Sequence, residues 1–552
     1  MRERMKQTFL PAVLCTAMLL SGCSGGETAS SSSVTAASGE AVSTAAAVTV
    51  QTISTDDLFS NRDMDQGYDE TAVVTVQLTG DTAVCSSDAV TIDGGRITLL
   101  DEGVYVFSGT LTDGQIVVNA DSKDKVQIVL DGADITSASS SAIYCLEADK
   151  AFLTLAEGAE NALANGGAFT AIDDNNIDAV VFSKTDLTLN GAGSLMVTSP
   201  AGHGIVSKDE LTITGGSYTV TAAKHGLTGK DSVAVAGGSF TITSGKDGIH
   251  AENADDTSKG FLYIAEGSFA IDAQGDAISA SSALQIDGGS YTLTTGGGSA
   301  SVTMKTGDMM QRPGFKDFSA AQAPSDATNA VENTESCKGV NADGALTVNG
   351  GTFTLDTAGD AVHGGGDVTI NGGEWTIRTG DDGIHADANL VLRAGTFSIP
   401  YCYEGVEGQS VTIDGGTLDI TAYDDGINAA GGADSSGMDF GFGRQDQFAA
   451  DENCFIIING GTITIVSDGD SIDSNGSLTV NGGTLDLTCN GNGNTAIDTN
   501  GTYTNNGGDV TTNDGSESGA GGMGGGKMHG SGKENGGGMR PSGQTQKPNA
   551  AA

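Results

Sequence analysis

The stretch Gly380-Asp381-Asp382-Gly383-Ile384-His385-Ala386, followed by Leu390-Val391-Leu392 and Gly395-Thr396-Phe397-Ser398-Ile399, is one copy of a repeat that fills most of the chain. An apolar anchor equivalent to Ile384 recurs about every 22 residues once three insertions are removed, a period that is typical of stacked solenoids. Twelve positions fit this register: Val181, Ile205, Leu227, Ile249, Ile278, Val340, Val362, Ile384, Val406, Ile427, Ile472 and Ile497.

Each repeat alternates apolar and polar residues over short runs that are separated by Gly-Gly. Leu346-Thr347-Val348 and Phe353-Thr354-Leu355, on either side of Gly350-Gly351, show the pattern clearly. A period of two predicts strands with one buried face, and paired glycines predict tight bends between them. A coil that stacks on the next coil supplies the crossover that parallel strands need. We therefore predict an all-β fold, a right-handed parallel β-helix, in which twelve rungs spaced at about 4.8 Å give a rod roughly 58 Å long.

The regions outside the repeat have different compositions. Basic residues from Arg2 to Lys6, an apolar run over 9–20 and the sequence Leu20-Ser21-Gly22-Cys23 predict a signal peptide over 1–22. Leu-Ser-Gly-Cys resembles the bacterial lipobox, which implies a lipid on Cys23 and an extracellular chain anchored to the outer face of the cytoplasmic membrane. A plain secretory signal is the alternative.

The rest of the chain divides by composition into four parts. We expect a Ser/Ala/Thr-rich linker over 23–50, a β-rich N-terminal cap over 51–140, the β-helix over 141–513 and a Gly-rich disordered tail over 514–552. The cap would cover the open strand edges at the end of the coil. Insertions at about 297–336 and 430–452, which carry Phe315 and Phe442, interrupt the rungs as functional loops or as flaps without a role.

Charge and cysteine content limit the classes of partner. The net charge is −46, with 71 acidic and 25 basic residues, so nucleic acid is not expected as a partner. An acidic polymer would be repelled unless a cation stood between the two. No CxxC pair is present, which argues against a zinc or redox site built on cysteine. We interpret the six cysteines beyond Cys23 as small buried side chains, with their pairing left open.

Stacking would place carboxylates in a column two residues before the anchors. Five successive rungs carry an acid at this position: Asp360, Asp382, Glu404, Asp425 and Asp470. A second column one residue after the anchor adds the following side chains: His363, His385, Glu407, Asn428, Asp473 and Asp498. Like charges about 4.8 Å apart cannot all ionise without a partner.

Three arrangements would satisfy such a column: protonation, basic partners such as Lys338, or bound hard cations. Calcium takes six to eight oxygens, and this column with the turn carbonyls supplies them. We therefore predict Ca²⁺ as the cofactor; a solvated acidic edge is the alternative. The predicted ligands are Asp360, Asp381, Asp382, Glu404, Asp424, Asp425, Asp470 and Asp473.

An aromatic column lies in the same register, and it points to the core. Its members alternate with Thr and share a face with an Ile or Leu two residues later, as in Trp375-Thr376-Ile377. We expect a buried stack made by Tyr218, Phe240, Phe269, Tyr291, Phe353, Trp375 and Phe397.

Several turn sequences resemble one known family. Gly202-His203-Gly204-Ile205-Val206-Ser207-Lys208-Asp209 and Ser244-Gly245-Lys246-Asp247-Gly248-Ile249-His250-Ala251 resemble the clostridial carbohydrate-binding domain family of secreted, polysaccharide-lyase-like β-helix proteins. The resemblance covers most of 55–510. It implies a right-handed parallel β-helix with bound calcium and affinity for plant cell-wall polysaccharides such as cellulose and polygalacturonate.

Exposed aromatic rings would complete a carbohydrate site. Tyr401, Tyr403 and Tyr423 lie at the turns next to Glu404 and Asp425. Sugar faces stack on aromatic rings while their hydroxyls or carboxylates complete the coordination of calcium. We predict these three tyrosines as the carbohydrate-binding residues.

Two other functions share this fold. A calcium-dependent polysaccharide lyase needs a base beside the metal, yet Lys338 is the only base in the acidic column, so no catalytic residue is assigned. A surface adhesin without glycan specificity would use the outward Thr rows instead. Loss of glycan binding without calcium argues against the adhesin, and formation of unsaturated uronide establishes the lyase.

Overall fold

The computed structural model describes residues 53–55, 58–170, 173–303, 336–430 and 450–518. The predicted signal peptide, Cys23, the linker, most of both insertions with Phe315 and Phe442, and the tail beyond 518 lie outside the described residues. All described residues belong to one compact unit, which spans Thr49–Ala552. Within the described ranges, no helix has both the length and the apolar character that crossing a bilayer requires.

The unit is a parallel β-helix with three strands in most rungs, which confirms the predicted fold. The strands of the first sheet, which carries the anchors, are Arg96–Leu99, Gln115–Asn119, Ile143–Glu147, Ala179–Ser183, His203–Ser207, Leu227–Gly229, Ile249–Ala251, Ile278–Ala280, Val340–Ala342, Val362–Gly364, Ile384–Leu392, Val406–Ile413, Ile427–Ala429, Ile472–Ser474 and Ile497–Thr499.

The second and third sheets follow the first in each rung. The strands of the second sheet are Val73–Gly80, Gly103–Leu111, Lys125–Ser137, Lys150–Leu155, Asp186–Gly191, Glu210–Ile213, Ser232–Val235, Phe261–Ile264, Leu284–Ile286, Leu346–Val348, Val368–Ile370, Phe455–Ile458, Ser477–Val480 and Tyr503–Asn505. The strands of the third sheet are Glu160–Asn165, Ser194–Ser199, Ser217–Ala222, Ser239–Ser244, Ser268–Ala273, Ser290–Thr295, Thr352–Thr357, Glu374–Thr379, Thr396–Cys402, Thr417–Ala422, Thr462–Ser467, Thr484–Cys489 and Asp509–Thr512. Short 3₁₀ helices cover Glu70–Ala72, Ser299–Ser301 and Ser516–Ser518.

The anchors pair in register along the whole first sheet. Val362 pairs with Ile384, and Ile384 pairs with Val406. The same register links all twelve predicted anchors, from Val181 to Ile497. All twelve are buried, because the period of two directs each anchor into the coil.

The aromatic column is a continuous internal stack, as predicted. Phe240 and Phe269 lie 4.8 Å apart between ring centroids, and Phe353 and Trp375 lie 3.7 Å apart. The bend before each ring needs glycine: Gly373 has a φ of 107°, and a Cβ there would lie 2.9 Å from Nε1 of Trp375. The Gly-Gly bend and the aromatic stack are therefore parts of one packing unit.

Parallel stacking begins well before residue 140. Ile97 pairs with Ile116, Ile116 with Ile143 and Ile143 with Val181, so the anchor column continues into the region that we assigned to the cap. Antiparallel pairings occur where Ala83–Val84 meets Val73–Gly80 and where Val90–Asp93 meets Arg96–Leu99. These pairings change strand direction at the N-terminal end of the coil and occupy strand edges there.

A segment before the first strand also crosses several rungs. Asp63 is buried, accepts a hydrogen bond from Thr188 at 2.6 Å and forms an ion pair with Lys150 at 2.8 Å. The guanidinium of Arg62 lies 4.8 Å from the ring centroid of Phe152. These contacts tie residues 62 and 63 laterally to the second sheet.

Candidate functional site

The acidic column forms a hydrogen-bonded ladder along the axis of the coil. Oδ1 of Asp360 accepts the backbone N–H of Asp382 at 3.2 Å, and Oδ1 of Asp382 accepts that of Glu404 at 3.1 Å. Oδ1 of Asp425 accepts the N–H of Asp470 at 2.6 Å. One oxygen of each of these aspartates thus accepts a hydrogen bond from a backbone N–H at the turn of the next rung. The sequence analysis did not predict these hydrogen bonds. The remaining oxygens are available for other partners.

Burial makes ionisation of the carboxylates in this column unfavourable. Asp360, Asp382 and Glu404 are only 3–4% exposed. Burial, with repulsion from neighbouring carboxylates, raises the pKa of Asp382 and of Glu404 well above the ordinary values. Burial and the carboxylate of Asp473 do the same to the pKa of Asp425. Without a cation, these groups are held towards the protonated state.

Asp360 is the exception because a lysine pairs with it. Burial acts to raise its pKa, but the opposing effects of Lys338, His385 and His363 hold it below the usual value. Nζ of Lys338 lies 2.9 Å from Oδ2 of Asp360. This predicted calcium ligand therefore already has a counter-ion.

The structure divides four of the other predicted ligands, Asp382, Glu404, Asp470 and Asp473, between two triads rather than placing them in one continuous site. In the buried triad, one oxygen each from Asp382, Glu404 and Glu407 lie within 4.8 Å of one another. Asn428 donates to Oε2 of Glu404 at 2.9 Å, and its own buried Oδ1 has no hydrogen-bond partner. The second column supplied Glu407 and Asn428, so both signals were present in the repeat register.

The second triad is more open to solvent. Asp470, Asp473 and Asp498 bring their oxygens within 4.8 Å, with Asp470 and Asp473 half-buried and Asp498 half-exposed at the rim. Burial is the largest cause that raises the pKa of Asp470 and of Asp473 to about 7. Among the described residues, the predicted ligands Asp381, Asp424 and Asp425 belong to neither triad.

The donor sets of both triads suit a hard cation. Carboxylate and amide oxygens are the ligands that calcium prefers, and three converging carboxylates provide the charge. The unpartnered amide oxygen of Asn428 beside Glu404 is the observation that fits a bound cation best.

The prediction that three tyrosines form the carbohydrate-binding surface is partly wrong. Tyr403 is buried, with 6% of its surface exposed, so it cannot present its ring to a sugar. Tyr401 is half-buried and lies opposite Arg378, whose guanidinium is 5.1 Å from its ring centroid. Tyr423 is 39% exposed and is the most exposed of the three predicted tyrosines.

A bulge interrupts the strand that carries Tyr401. Thr376 pairs with Ser398, but Arg378 pairs with Tyr401, so the strand Thr396–Cys402 contains one extra residue. Pro400 lies in this irregular part and cannot donate to the ladder. The extra residue shifts Tyr401 by one position relative to Arg378, which the spacing between anchors does not reveal.

Comparison with known proteins identifies the family. A family described as carbohydrate-binding domain-containing protein matches residues 93–383 and 381–528. The chain belongs to this carbohydrate-binding family. The resemblance seen in the turn sequences is confirmed at that level.

Individual relatives match parts of this family member. A carbohydrate-binding domain-containing protein of Acetivibrio thermocellus is 36% identical over 137 residues, which cover 24% of this chain and 48% of that protein. The chain thus spans about half the length of that curated relative. A solved polysaccharide lyase-like protein from C. thermocellum, a gadolinium derivative, is similar with 34% identity and a TM-score of 0.40, over 41% of this chain and 92% of that one.

Proposed function

We propose that the chain is a non-catalytic, calcium-dependent binder of plant cell-wall polysaccharide of the cellulose or pectate type. The observation that carries the proposal is the buried triad of Asp382, Glu404 and Glu407, in which three carboxylate oxygens converge and a single imidazole, that of His385, lies beside them. Membership of a carbohydrate-binding family supports the glycan part of the proposal.

The two triads would have different roles. Calcium held by Asp382, Glu404 and Glu407 would neutralise buried carboxylates and fix neighbouring rungs, since these three side chains are enclosed. Calcium held by Asp470, Asp473 and Asp498 would lie nearer solvent, where a uronate carboxylate or a sugar hydroxyl can complete its coordination. Tyr423 is exposed next to Asp424 and supplies an apolar surface for a sugar ring.

The basic side chains near the column favour binding over cleavage. Lys338 is paired with Asp360 at 2.9 Å, and the guanidinium of Arg378 lies over Tyr401. Nη1 of Arg393 donates to Asn371 at 3.2 Å. Lyase chemistry requires a base beside the metal to remove the proton next to the uronate carboxylate. These contacts direct the three bases to other partners, so we infer a non-catalytic protein.

A surface adhesin remains the second candidate, and one observation favours it. The third sheet presents an exposed row of hydroxyl side chains, which includes Thr219, Thr241, Thr354 and Thr376. Such a flat polar face can contact many surfaces without specificity for a glycan.

Sedimentation with insoluble cellulose and with pectate tests the proposal directly. We expect the full chain to sediment with one of these polymers in calcium and to remain in solution after chelation. Glu404→Gln should need more calcium for the same binding, whereas Thr376→Ala, on the hydroxyl row, should behave like the wild type. Binding that is unchanged by chelator but is lost in Thr376→Ala would favour the adhesin. Ultraviolet absorbance of unsaturated uronide would establish a lyase.

We also propose that the protein acts at the bacterial cell surface through a lipid on Cys23. The Leu20-Ser21-Gly22-Cys23 sequence supports this proposal. Labelled palmitate should enter the wild-type chain and not the Cys23→Ala variant, and equal labelling of both would contradict the anchor.

A further inference from the structure

We propose a second metal site, separate from the carboxylate triads, in which His363, His385 and Asp387 bind a zinc-class divalent ion. His363 and His385 pair in register on the adjacent strands Val362–Gly364 and Ile384–Leu392, and Asp387 follows two residues later. One ligand atom from each of the three side chains lies within 4.8 Å of the others. Two imidazoles and one carboxylate form a donor set that suits zinc.

The distances match a tetrahedral ion better than a set of hydrogen bonds. Nε2 of His363 and Nε2 of His385 lie 3.5 and 3.3 Å from the same oxygen, Oδ1 of Asp387. Ligands bound tetrahedrally at about 2.0–2.1 Å are separated from one another by about 3.3 Å. His385 is fully buried, and its Nε2 has no hydrogen-bond partner. A buried ring nitrogen in that state requires an explanation, and a metal supplies one.

The opposite ring nitrogens are held by partners that orient them. Nδ1 of His363 lies 2.9 Å from Oδ1 of Asn341. Nδ1 of His385 lies 3.2 Å from Oδ2 of Asp382 and 3.1 Å from Oε2 of Glu407. Metal-binding histidines almost always donate their second N–H to a carboxylate or another oxygen, which directs the free nitrogen at the ion. Both imidazoles of this site show that arrangement.

A second histidine cluster in the same coil shows this arrangement at one ring only, where Nε2 of His250 lies 3.2 Å from Oε2 of Glu252. In the cluster of His225, Asp247 and His250, the N–H of Asp247 donates to Nδ1 of His225 at 3.2 Å. Nδ1 of His250 lies 2.7 Å from Oδ2 of Asp247, which is closer than the separation of about 3.3 Å between two ligands of one tetrahedral zinc ion. These rings stack with an interplanar angle of 18°, whereas the rings of His363 and His385 are tilted by 47°. Tilted rings can converge on one ion, whereas stacked rings direct their nitrogens side by side.

The ion class follows from ligand chemistry. Imidazole suits zinc, copper and nickel, while calcium takes oxygen ligands. Three protein ligands leave a fourth tetrahedral position, and Asp387, with 45% of its side chain exposed, opens that region towards solvent. His385 contacts the buried triad through Asp382 and Glu407, so the two sites would adjoin while binding different ions.

Zinc titration of the full chain tests the proposal. The chain is first stripped with chelator and dialysed, and Zn²⁺ is titrated calorimetrically in saturating Ca²⁺. We expect one zinc per chain, more than about tenfold weaker binding in His363→Gln and in Asp387→Asn, and unchanged zinc binding in the matched control His225→Gln. Co²⁺ should give the visible spectrum of a tetrahedral site in the wild type and lose it in His363→Gln.

Two results would overturn the assignment. Equal zinc binding by the wild type and both ligand variants would show that zinc does not bind at His363 and Asp387. Loss of zinc binding in His225→Gln alone would show that zinc binds at the other cluster. Circular dichroism of each variant verifies that the coil is intact. Because calcium is titrated separately in the same variants, failure of the zinc site and failure of the calcium proposal give different results.

Discussion

The carboxylates at the turns before the anchors behave differently in the N-terminal and C-terminal halves of the coil. In the N-terminal half, burial acts to raise the pKa of Asp178, but His203 and nearby lysines lower it to about 2. His225 and His250 lower the pKa of Asp247 in the same way. In the C-terminal half, burial and then repulsion from neighbouring carboxylates raise the pKa of Glu404 and of Asp425. The position two residues before the anchor, which is Asp247 in one half and Glu404 in the other, therefore supports either internal ion pairs or a cation site, depending on the residues on adjoining rungs.

The largest expected effect comes from the core, which both halves share. Ile384→Asp and Leu227→Asp each place an unpaired charge at a fully buried anchor, one in each half. We expect each change to lower the free energy of unfolding by several kcal/mol, and to a similar extent. Urea unfolding followed by circular dichroism measures this, with the exposed Thr376→Asp as a control that should change stability by less than about 0.5 kcal/mol. A strong effect in only one half would mean that the two halves do not share one core.

Neutralising one carboxylate in each half should change the stability of the metal-free chain in opposite directions. Asp247→Asn removes the partner of two histidines, so it should cost about 1–3 kcal/mol whether or not calcium is present. Glu404→Gln retains an acceptor for Asn428 and removes a repelled buried charge. It should stabilise the metal-free chain by on the order of 1 kcal/mol and weaken its stabilisation by calcium. Thermal melts with and without calcium measure both effects. If Glu404→Gln were less stable than the wild type without metal, the two carboxylates would not differ as described.

The two halves should also respond to pH in opposite directions. Asp470 and Asp473 have pKa values raised to about 7, so the stability linked to their protons is present below about pH 4 and is lost as pH rises through 7. Metal-free protein should therefore become more stable as pH falls from about 8 to about 5. Asp178 and Asp247 have lowered pKa values, so their contribution is present above about pH 4 and is lost at lower pH.

Melts of the metal-free chain across this range measure the pH effect, and saturating calcium should remove most of it because bound calcium replaces the protons. A metal-free melting temperature that stays constant between about pH 8 and pH 5 would show that the acidic triads do not titrate in this range.

The smallest expected effect concerns glycan contact. Tyr423→Ala should weaken polysaccharide binding severalfold, as expected for one exposed aromatic contact worth about 1 kcal/mol. Met196→Ala removes a side chain from a residue that is 53% exposed in the N-terminal half, so it is the matched control and should bind normally. Equal binding by both variants would place the glycan surface away from Tyr423.

The repeat register allowed most of the fold to be predicted. One anchor per rung, the Gly-Gly bends and the aromatic residues after them follow from periods that the sequence shows directly, and the pairing of Ile384 with Val406 confirms this. The bulge near Pro400 could not be predicted in the same way, because an extra residue within a strand does not alter the spacing between turns enough to mark its place. The repeat spacing does not show that Tyr403 is buried, so the prediction for this residue was wrong.

The site was predicted less completely than the fold. The register placed Asp382 and Glu404 together, yet it could not show that Oδ1 of Asp382 is used to accept the N–H of Glu404. Nor could it separate the column into triads, since that division depends on side-chain directions and on Lys338 pairing with Asp360. Asp387 lies outside both columns, and only the three-dimensional arrangement brings it to the two histidines.

The most direct test of the account is the melting temperature of the metal-free full chain as calcium is added at neutral pH. Because calcium should bind the folded state alone, the melting temperature should rise continuously with calcium, with about 2.7 kcal/mol of added stability at a hundredfold excess over Kd. Glu404→Gln should shift this rise to higher calcium, and Asp247→Asn should lower the whole curve without changing its shape. A melting temperature that is identical in chelator and in excess calcium, with no metal found by elemental analysis, would show that calcium does not bind the folded chain.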